Sequence, residues 1–276
     1  MTKLMPRPGR FRGISGTVIA LSIALIAGGV ATAQEVAQDT STLRVGIATN
    51  YAPLAFAENG QIAGVEADFA RKLPAELGVK VTIIEVPWEE MIQALQDRRI
   101  DVIMSGMSIT EERKQLIGFT DPYLRVGQMA LVRKADYDRL RGRAAMDRST
   151  SRVGFLKATT GESFARAHLK HAKLEGFDSI DDGVAALRTG KLDFFIHDAP
   201  TIWRITGGFS SPERDLRGLY RPLTEEYLAW AVRKDDDALR QRLNGVLRRW
   251  KDTKQIDAVL DKWITVRKET ISVKSH

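Results

Sequence analysis

Strands and helices alternate along this chain, and that alternation restricts its fold more than any other feature. Leu43–Ala48 reads as a short strand closed by the turn-rich Thr49-Asn50-Tyr51-Ala52-Pro53. Glu66–Leu77 reads as an amphipathic helix with Phe69, Leu73 and Leu77 on one face, interrupted by Pro74 and ended by Gly78. Val79–Val86 is a β-branched strand, Trp88–Gln96 a helix, and Ile100–Met104 an apolar strand. Short connections between alternating elements predict an α/β fold of mostly parallel sheets flanked by helices.

The pattern also echoes itself. Ala94-Leu95-x3-Arg99-Ile100-Asp101 matches Ala186-Leu187-x3-Lys191-Leu192-Asp193, in each case the end of a helix, a turn and a strand. Upstream, Arg44-Val45-Gly46 echoes Arg152-Val153-Gly154. Two similarly built lobes follow, built on common βαβ grammar: residues 34–125 with 235–276 as lobe 1, and 126–234 as lobe 2. The charge-rich stretch Lys134–Ser151 reads as a surface connection between them. Tyr227–Arg233 is a further strand. A helix over about Asp237–Trp250 turns Leu239, Leu243, Val246, Leu247 and Trp250 inward, and a second carries Ile256, Val259, Leu260 and Trp263. Tryptophans at helical spacing read as core.

Residues 1–33 have the three-part layout of a secretory signal. Lys3, Arg7, Arg10 and Arg12 precede an apolar run from Ile14 to Val30, which ends at the small-x-small site Ala31-Thr32-Ala33. Cleavage there sends the mature chain to the periplasm; retention would leave the run as a membrane anchor. Without the four signal cations, 38 basic residues face 35 acidic ones, a net charge of +3 instead of +7. So small an excess does not point to nucleic acid, and Lys134, Arg139, Arg141 and Arg143 read as a solvated loop. The chain has no cysteine, which removes disulfides, thiolate catalysis, cysteine metal sites and a cysteine-linked lipid anchor.

Two places share one construction: a strand running into a capped helix start. Ile100–Met104 leads into Ser105-Gly106-Met107-Ser108-Ile109-Thr110-Glu111-Glu112-Arg113, with Ser108-x-x-Glu111 a possible capping box and Thr110 an alternative cap. Val153–Leu156 leads into Lys157-Ala158-Thr159-Thr160-Gly161-Glu162, with Thr159-x-x-Glu162 as the box. The carboxyl ends of strands in open α/β sheets are where ligands bind, and free N–H groups at helix starts favour an anion. Arg113, one turn in, has the reach to fold back and grip a carboxylate. Asp198 follows the apolar strand Leu192–Ile196 and has the charge to meet an ammonium. His197 alternates with it and should face the opposite side. Tyr51, Phe56 and Trp88 lie in or beside loops, where rings stack on ligands or roof a core. His168-x-x-His171 has metal-ligand spacing without a third ligand, and no dinucleotide, phosphate-loop or nucleophile-elbow motif is present. No metal or cofactor is implied.

These residues together resemble the bacterial extracellular solute-binding proteins of family 3, the polar amino acid receptors of ABC importers, over about Leu43 to Ile264. The markers are Leu43-Arg44-Val45-Gly46 with Tyr51-x-Pro53, Gly64-Val65-Glu66-x-Asp68-Phe69-Ala70, Ile100 through Arg113, Phe119-Thr120-Asp121-Pro122-Tyr123, Gly154 with Thr159-Thr160-Gly161-Glu162, and Leu192-Asp193 with Asp198. The resemblance implies a two-lobed periplasmic-binding-protein-like (type II) fold with hinge strands near Leu124–Val132 and Glu226–Arg233. It implies that Arg113 binds a ligand α-carboxylate with Ser108, Thr160 and backbone N–H groups, and that Asp198 binds the α-ammonium. Ser105, Gly106 and Thr159 would line the same shell, with Tyr51 and Trp88 facing the ligand side chain. The implied function is capture of an amino acid or similar small zwitterion or organic anion by hinge closure, as a monomer that delivers to an inner-membrane ABC permease. Where receptors for cationic amino acids often carry an acid, this chain has Ala48; Leu54 stands where many members have phenylalanine, and Lys157 replaces a frequent neutral residue. The alternatives are a cyclohexadienyl or arogenate dehydratase, with Glu162, Glu225 and Glu226 as conceivable acids, and a ligand-sensing accessory protein.

Overall fold

In a computed structural model of the chain, residues 42–207 and 215–264 are described; the signal segment expected over residues 1–33 lies outside them. In chain order the strands are Thr42–Ile47 (β1), Asn50–Tyr51 (β2), Ala55–Glu58 (β3), Gln61–Ala63 (β4), Lys80–Glu85 (β5), Val102–Ser108 (β6), Ile117–Phe119 (β7) and Leu124–Val126 (β8). They continue with Gln128–Arg133 (β9), Arg152–Leu156 (β10), Lys173–Phe177 (β11), Phe194–Asp198 (β12), Leu216–Leu219 (β13) and Glu226–Arg233 (β14).

Two sheets carry the fold. The first has the order β5-β1-β6-β14-β7, with β8 also on β14; the second has the order β11-β10-β12-β9-β13. In each, three parallel strands (β5, β1, β6 or β11, β10, β12) meet an antiparallel one, β14 or β9. Apolar side chains cover both faces of both sheets. In lobe 1, Val45, Val102 and Trp230 pack on Phe69 and Trp250, while Ile103 and Ala231 pack on Met91 and Leu95. In lobe 2, Val153, Phe194 and Ile196 pack on Phe164, while Phe195 and Leu131 pack on Leu187 and Ile202. Burial on both faces explains why these strands read as near-continuous apolar runs.

The strand Glu226–Arg233 departs from the lobe boundaries read from the sequence, which placed residues up to 234 in lobe 2. It pairs with β6, β7 and β8 of the first sheet, because Leu228, Trp230 and Val232 complete the lobe 1 core. The chain therefore returns to lobe 1 at Thr224–Glu225. The stretch 134–151 is also more ordered than a surface connection: it forms helices Tyr137–Leu140 and Arg143–Met146, which bury Leu140, Ala145 and Met146. Pro74 sits within a helix that runs unbroken over Val65–Leu77.

The chain crosses between sheets at Gly127, between β8 and β9, and again at Thr224–Glu225. The crossings touch. The Gln128 amide N–H donates to the Thr224 hydroxyl at 2.8 Å, and Leu223 N–H donates to the Gln128 carbonyl at 2.8 Å. A methyl group on Gly127 would lie 2.1 Å from the Thr224 carbonyl oxygen, so only glycine fits between the two strands.

Candidate functional site

The carboxyl ends of β6 and β12 face each other across the lobes. A cavity there is lined by Asn50, Tyr51, Trp88, Gly106, Ser108 and Arg113 from lobe 1 and by Leu156, Thr159, Thr160, His197 and Asp198 from lobe 2. Eight of the nine residues singled out from the sequence thus come together. Ser105 is the exception. Its hydroxyl is buried and accepts the Ala48 N–H at 3.0 Å, tying β6 to the end of β1 instead of facing the cavity.

Arg113 is placed by a short helix, Glu111–Leu116. Thr110, not Ser108, caps it: the Thr110 hydroxyl accepts the Arg113 N–H at 3.2 Å. The side chain folds back across the helix start. Its NH1 donates to the Ser108 carbonyl at 2.9 Å and its NH2 to the Ala158 carbonyl at 3.4 Å, while the guanidinium lies 5.2 Å from the centre of the Trp88 ring. Burial pulls its pKa down, against the fields of Asp198, Glu226 and Glu112. A guanidinium has five N–H donors, so these two carbonyls leave donors for a ligand carboxylate.

Asp198 ends β12 and starts the helix Ala199–Thr206, which leaves its side chain free to accept from the Tyr51 hydroxyl and from Gln128 Nε2. Burial, reinforced by the nearby charge of Glu226, raises its pKa from 3.8 to about 7; the bonds from Tyr51 and Gln128 and the charge of Arg113 oppose the shift. Burial also drives Tyr51 well above its ordinary value, with Asp198 adding to it.

His197 does not follow the alternation expected of it; it lines the same cavity. The strand ends here, and the imidazole turns back so that its Nδ1 accepts the Asp198 N–H at 2.8 Å. That bond puts the ring proton on Nε2. Burial lowers the pKa to about 4, so the ring is neutral at physiological pH. It also meets Tyr51 edge-on at 5.3 Å.

Two further polar residues join the site: Glu226, named from the sequence only as a conceivable acid of the dehydratase alternative, and Gln128, not named there. Glu226 accepts hydroxyl bonds from Ser108 and Thr160, each 2.7 Å, and from Thr224 at 2.7 Å. Gln128 donates from Nε2 to Thr160 at 3.0 Å as well as to Asp198. Both are buried at the crossings between lobes.

Beneath the floor lies Glu66, fully buried, which accepts from Gly106 N–H at 2.6 Å, Tyr123 OH at 2.7 Å and Trp230 Nε1 at 3.1 Å. Burial raises its pKa to about 7 against those three bonds. The bond to Gly106 holds a left-handed turn (φ 64°) inside β6, over which the Tyr51 ring packs; a methyl group there would lie 2.6 Å from that ring.

On the second lobe, Thr159 is the N-cap of the helix Thr160–His168, but neither bond of the expected box with Glu162 forms. The Thr159 hydroxyl donates to the Leu156 carbonyl at 2.6 Å, and Glu162 takes the Ala158 N–H at 2.8 Å. This tight turn puts Ala158 at φ 57° and aims its carbonyl at lobe 1, where it also receives Trp88 Nε1 at 3.0 Å.

A larger opening of about 660 Å³ shares Asn50 and is lined by Phe56, Asp181, Arg188, Thr201 and Arg204, among others. There Arg188 is held by Asp215 at 2.7 Å and Arg204 lies over Phe56; eight of the nine site residues singled out from the sequence line the smaller cavity. His168 and His171 bond to the Phe164 carbonyl and to Asp147, and no group of three metal-ligating side chains occurs among the described residues.

Comparison with known proteins agrees with this architecture. The chain is 25% identical over 227 residues to the L-cystine-binding protein of Escherichia coli, covering 82% of this chain and 84% of that one. An ancestral amino acid-binding protein described as a precursor of cyclohexadienyl dehydratase superposes with a TM-score of 0.74 at 32% identity, covering 81% and 95% of the two chains. A binding component of an ABC transporter from Wolinella succinogenes, complexed with lysine, gives 0.77 at 29% identity, covering 82% and 96%. Residues 43–266 match the description of one family, and with two type II lobes and opposed charges in the cleft between them the chain belongs to the bacterial extracellular solute-binding proteins, family 3.

Proposed function

We propose that this protein is a periplasmic receptor that closes around an amino acid and delivers it to an ABC permease. The observation that carries the reading is the pair Arg113 and Asp198, on opposite lobes of one cavity. A zwitterion fits such a site at both ends: carboxylate to Arg113, ammonium to Asp198, with Trp88 and Tyr51 beside the side chain. The cavity is about 30 Å³, room for one or two water molecules. Solute therefore enters only when the lobes part, and contacts to both lobes favour their closing again. The interlobe bonds Trp88 to Ala158 and Thr201 to the Ala52 carbonyl, the latter at 2.8 Å, mark the closed state.

The L-cystine-binding relative and the lysine-complexed transporter component support this reading. The signal pattern of residues 1–33 supports the compartment, and the protein acts as a monomer. Thermal shift against a panel of amino acids tests it: at least one raises the melting temperature by several degrees at millimolar concentration. No shift with any amino acid or small organic anion refutes it. A second reading, dehydratase chemistry, has one observation behind it: a carboxyl group at Asp198 with a pKa of about 7 suits a general acid. Incubation with prephenate or arogenate separates the two, since a receptor gives no aromatic product.

A further inference from the structure

The floor of the cavity has a direction built into it. Gln128 donates one Nε2 hydrogen to Thr160 and the other to Asp198, and its backbone N–H to Thr224. The opposite amide orientation would set its oxygen against the Asp198 carboxyl. Thr160 and Thr224 pass their own hydroxyl protons on to Glu226, and Ser108 does the same from the other lobe. A hydroxyl has only one proton to give. With those O–H groups committed to Glu226, the oxygens of Ser108 and Thr160 show only lone pairs to a ligand. Their part in binding is then the reverse of the carboxylate-donor role that the family resemblance implies for them.

We propose that Glu226 is a specificity-determining residue: by holding the Ser108 and Thr160 hydroxyl protons it makes the cavity floor an acceptor surface, which receives ligand N–H groups and rejects a second carboxylate. The charges agree. Two carboxyl groups of the cavity wall, Asp198 and Glu226, act on one guanidinium, Arg113, with exposed Glu112 adding to them from its own helix. A zwitterion leaves that balance unchanged, an additional ammonium improves it, and an additional carboxylate worsens it. Arg113 alone, with its uncommitted donors, takes the α-carboxylate.

The proposal rests on the amino-acid-receptor reading, and its test separates the two. Isothermal titration compares L-glutamine with L-glutamate, which are alike in shape and differ in charge, together with L-lysine and L-arginine. Wild type binds glutamine at least about tenfold more tightly than glutamate. In Glu226→Gln, verified as folded by its melting curve, the amide donates to one hydroxyl and releases that proton, and the glutamine-to-glutamate preference shrinks at least about tenfold. An unchanged preference in the folded variant overturns the proposal, because a merely structural role weakens all ligands alike. Should the variant not fold, the wild-type pair decides: equal affinities, or a preference for glutamate, overturn it. If wild type binds lysine or arginine but neither member of the pair, glutamate is replaced by its effect as a competitor, and competition by glutamate at concentrations where glutamine fails overturns the proposal. Binding of no amino acid refutes the receptor reading itself.

Discussion

The two lobes are built alike at one end of their strands and unlike at the other. In lobe 1, Arg44 donates from its backbone N and Nε to Asp101 Oδ2, both at 2.9 Å, and from NH2 to Oδ1 at 2.8 Å. In lobe 2, Arg152 does the same to Asp193, at 3.0, 3.0 and 2.9 Å. A second arginine supports each clamp, Arg233 at 3.4 Å and Arg133 at 3.5 Å. These clamps join the start of the first of a lobe's three parallel strands (β1 or β10) to the start of the third (β6 or β12). At the carboxyl ends the likeness stops: one lobe presents Arg113, the other Asp198. The scaffold has been kept in both halves, while the ends that face the cleft have taken opposite charges. Repetition belongs to stability here and asymmetry to binding.

Breaking the asymmetry has the largest expected effect. Arg113→Ala lowers affinity at least about 100-fold, a loss of roughly 3 kcal/mol for a desolvated, charge-assisted contact, while the melting temperature of the free protein stays within a few degrees. Titration calorimetry checks it, and wild-type affinity in the variant removes Arg113 from the site.

Breaking the likeness costs stability instead. Asp101→Ala strands Arg44, 29% exposed, and takes one of two carboxylates from Arg233, which keeps Asp236 at 2.9 Å; it costs about 3 kcal/mol by denaturant unfolding. Asp193→Ala costs less, about 1–2 kcal/mol, because Arg152 is 42% exposed and solvent screens it. Equal losses would contradict that ranking. Both carboxyls are held below the usual carboxylate range, with burial opposing and the arginine bonds prevailing. Their stabilisation is therefore complete above pH 4 and lost as the pH falls through their depressed native values.

Asp198 has the opposite pH dependence. Its native pKa of about 7 exceeds the unfolded value of 3.8, so its contribution is complete below about pH 4 and lost as the pH rises through 7. The ligand-free protein melts at progressively lower temperature from pH 5 to 8, and Asp198→Asn flattens part of that slope, with Glu66 keeping the rest. A ligand ammonium favours the ionised carboxyl, so binding near pH 6.5 releases up to one proton. Calorimetry in buffers of different ionisation enthalpy detects it; no release means that the ammonium is held elsewhere.

Trp88→Phe gives the smallest effect. It keeps a ring beside Arg113 but removes the Nε1 bond to Ala158, weakening affinity about fivefold. A larger loss would show that the bond does more than help hold the lobes closed.

The repeated half of this comparison was legible in the sequence as two short echoes, Arg-Val-Gly opening one strand and an aspartate opening its neighbour, although 57 positions separate arginine from aspartate in lobe 1 and 41 in lobe 2. Arg113 and Asp198 were named from strand ends and helix starts, and their roles from the family resemblance; Asp198 closes β12 and Arg113 sits in the helix that follows β6. What stayed hidden depends on contacts between distant segments. Ser105–Ser108 gives no apolar signal, yet it is strand, because β14 pairs along it. His197 defeats the rule of alternation because a helix begins at the next residue but one. Gln128 and Glu226 are separated by 98 positions and become one network only where the two crossings touch. No local pattern announces such a meeting.

Gly127 has a mechanical consequence. With no side chain between the crossing strands, main chain rests directly on main chain, as in a bearing without a bushing. Under the proposed hinge closure this joint carries the swing, and peptide geometry, not side-chain packing, sets its fit. Any added side chain at this position would act as a doorstop, changing how far the lobes swing without touching a single atom that meets the ligand.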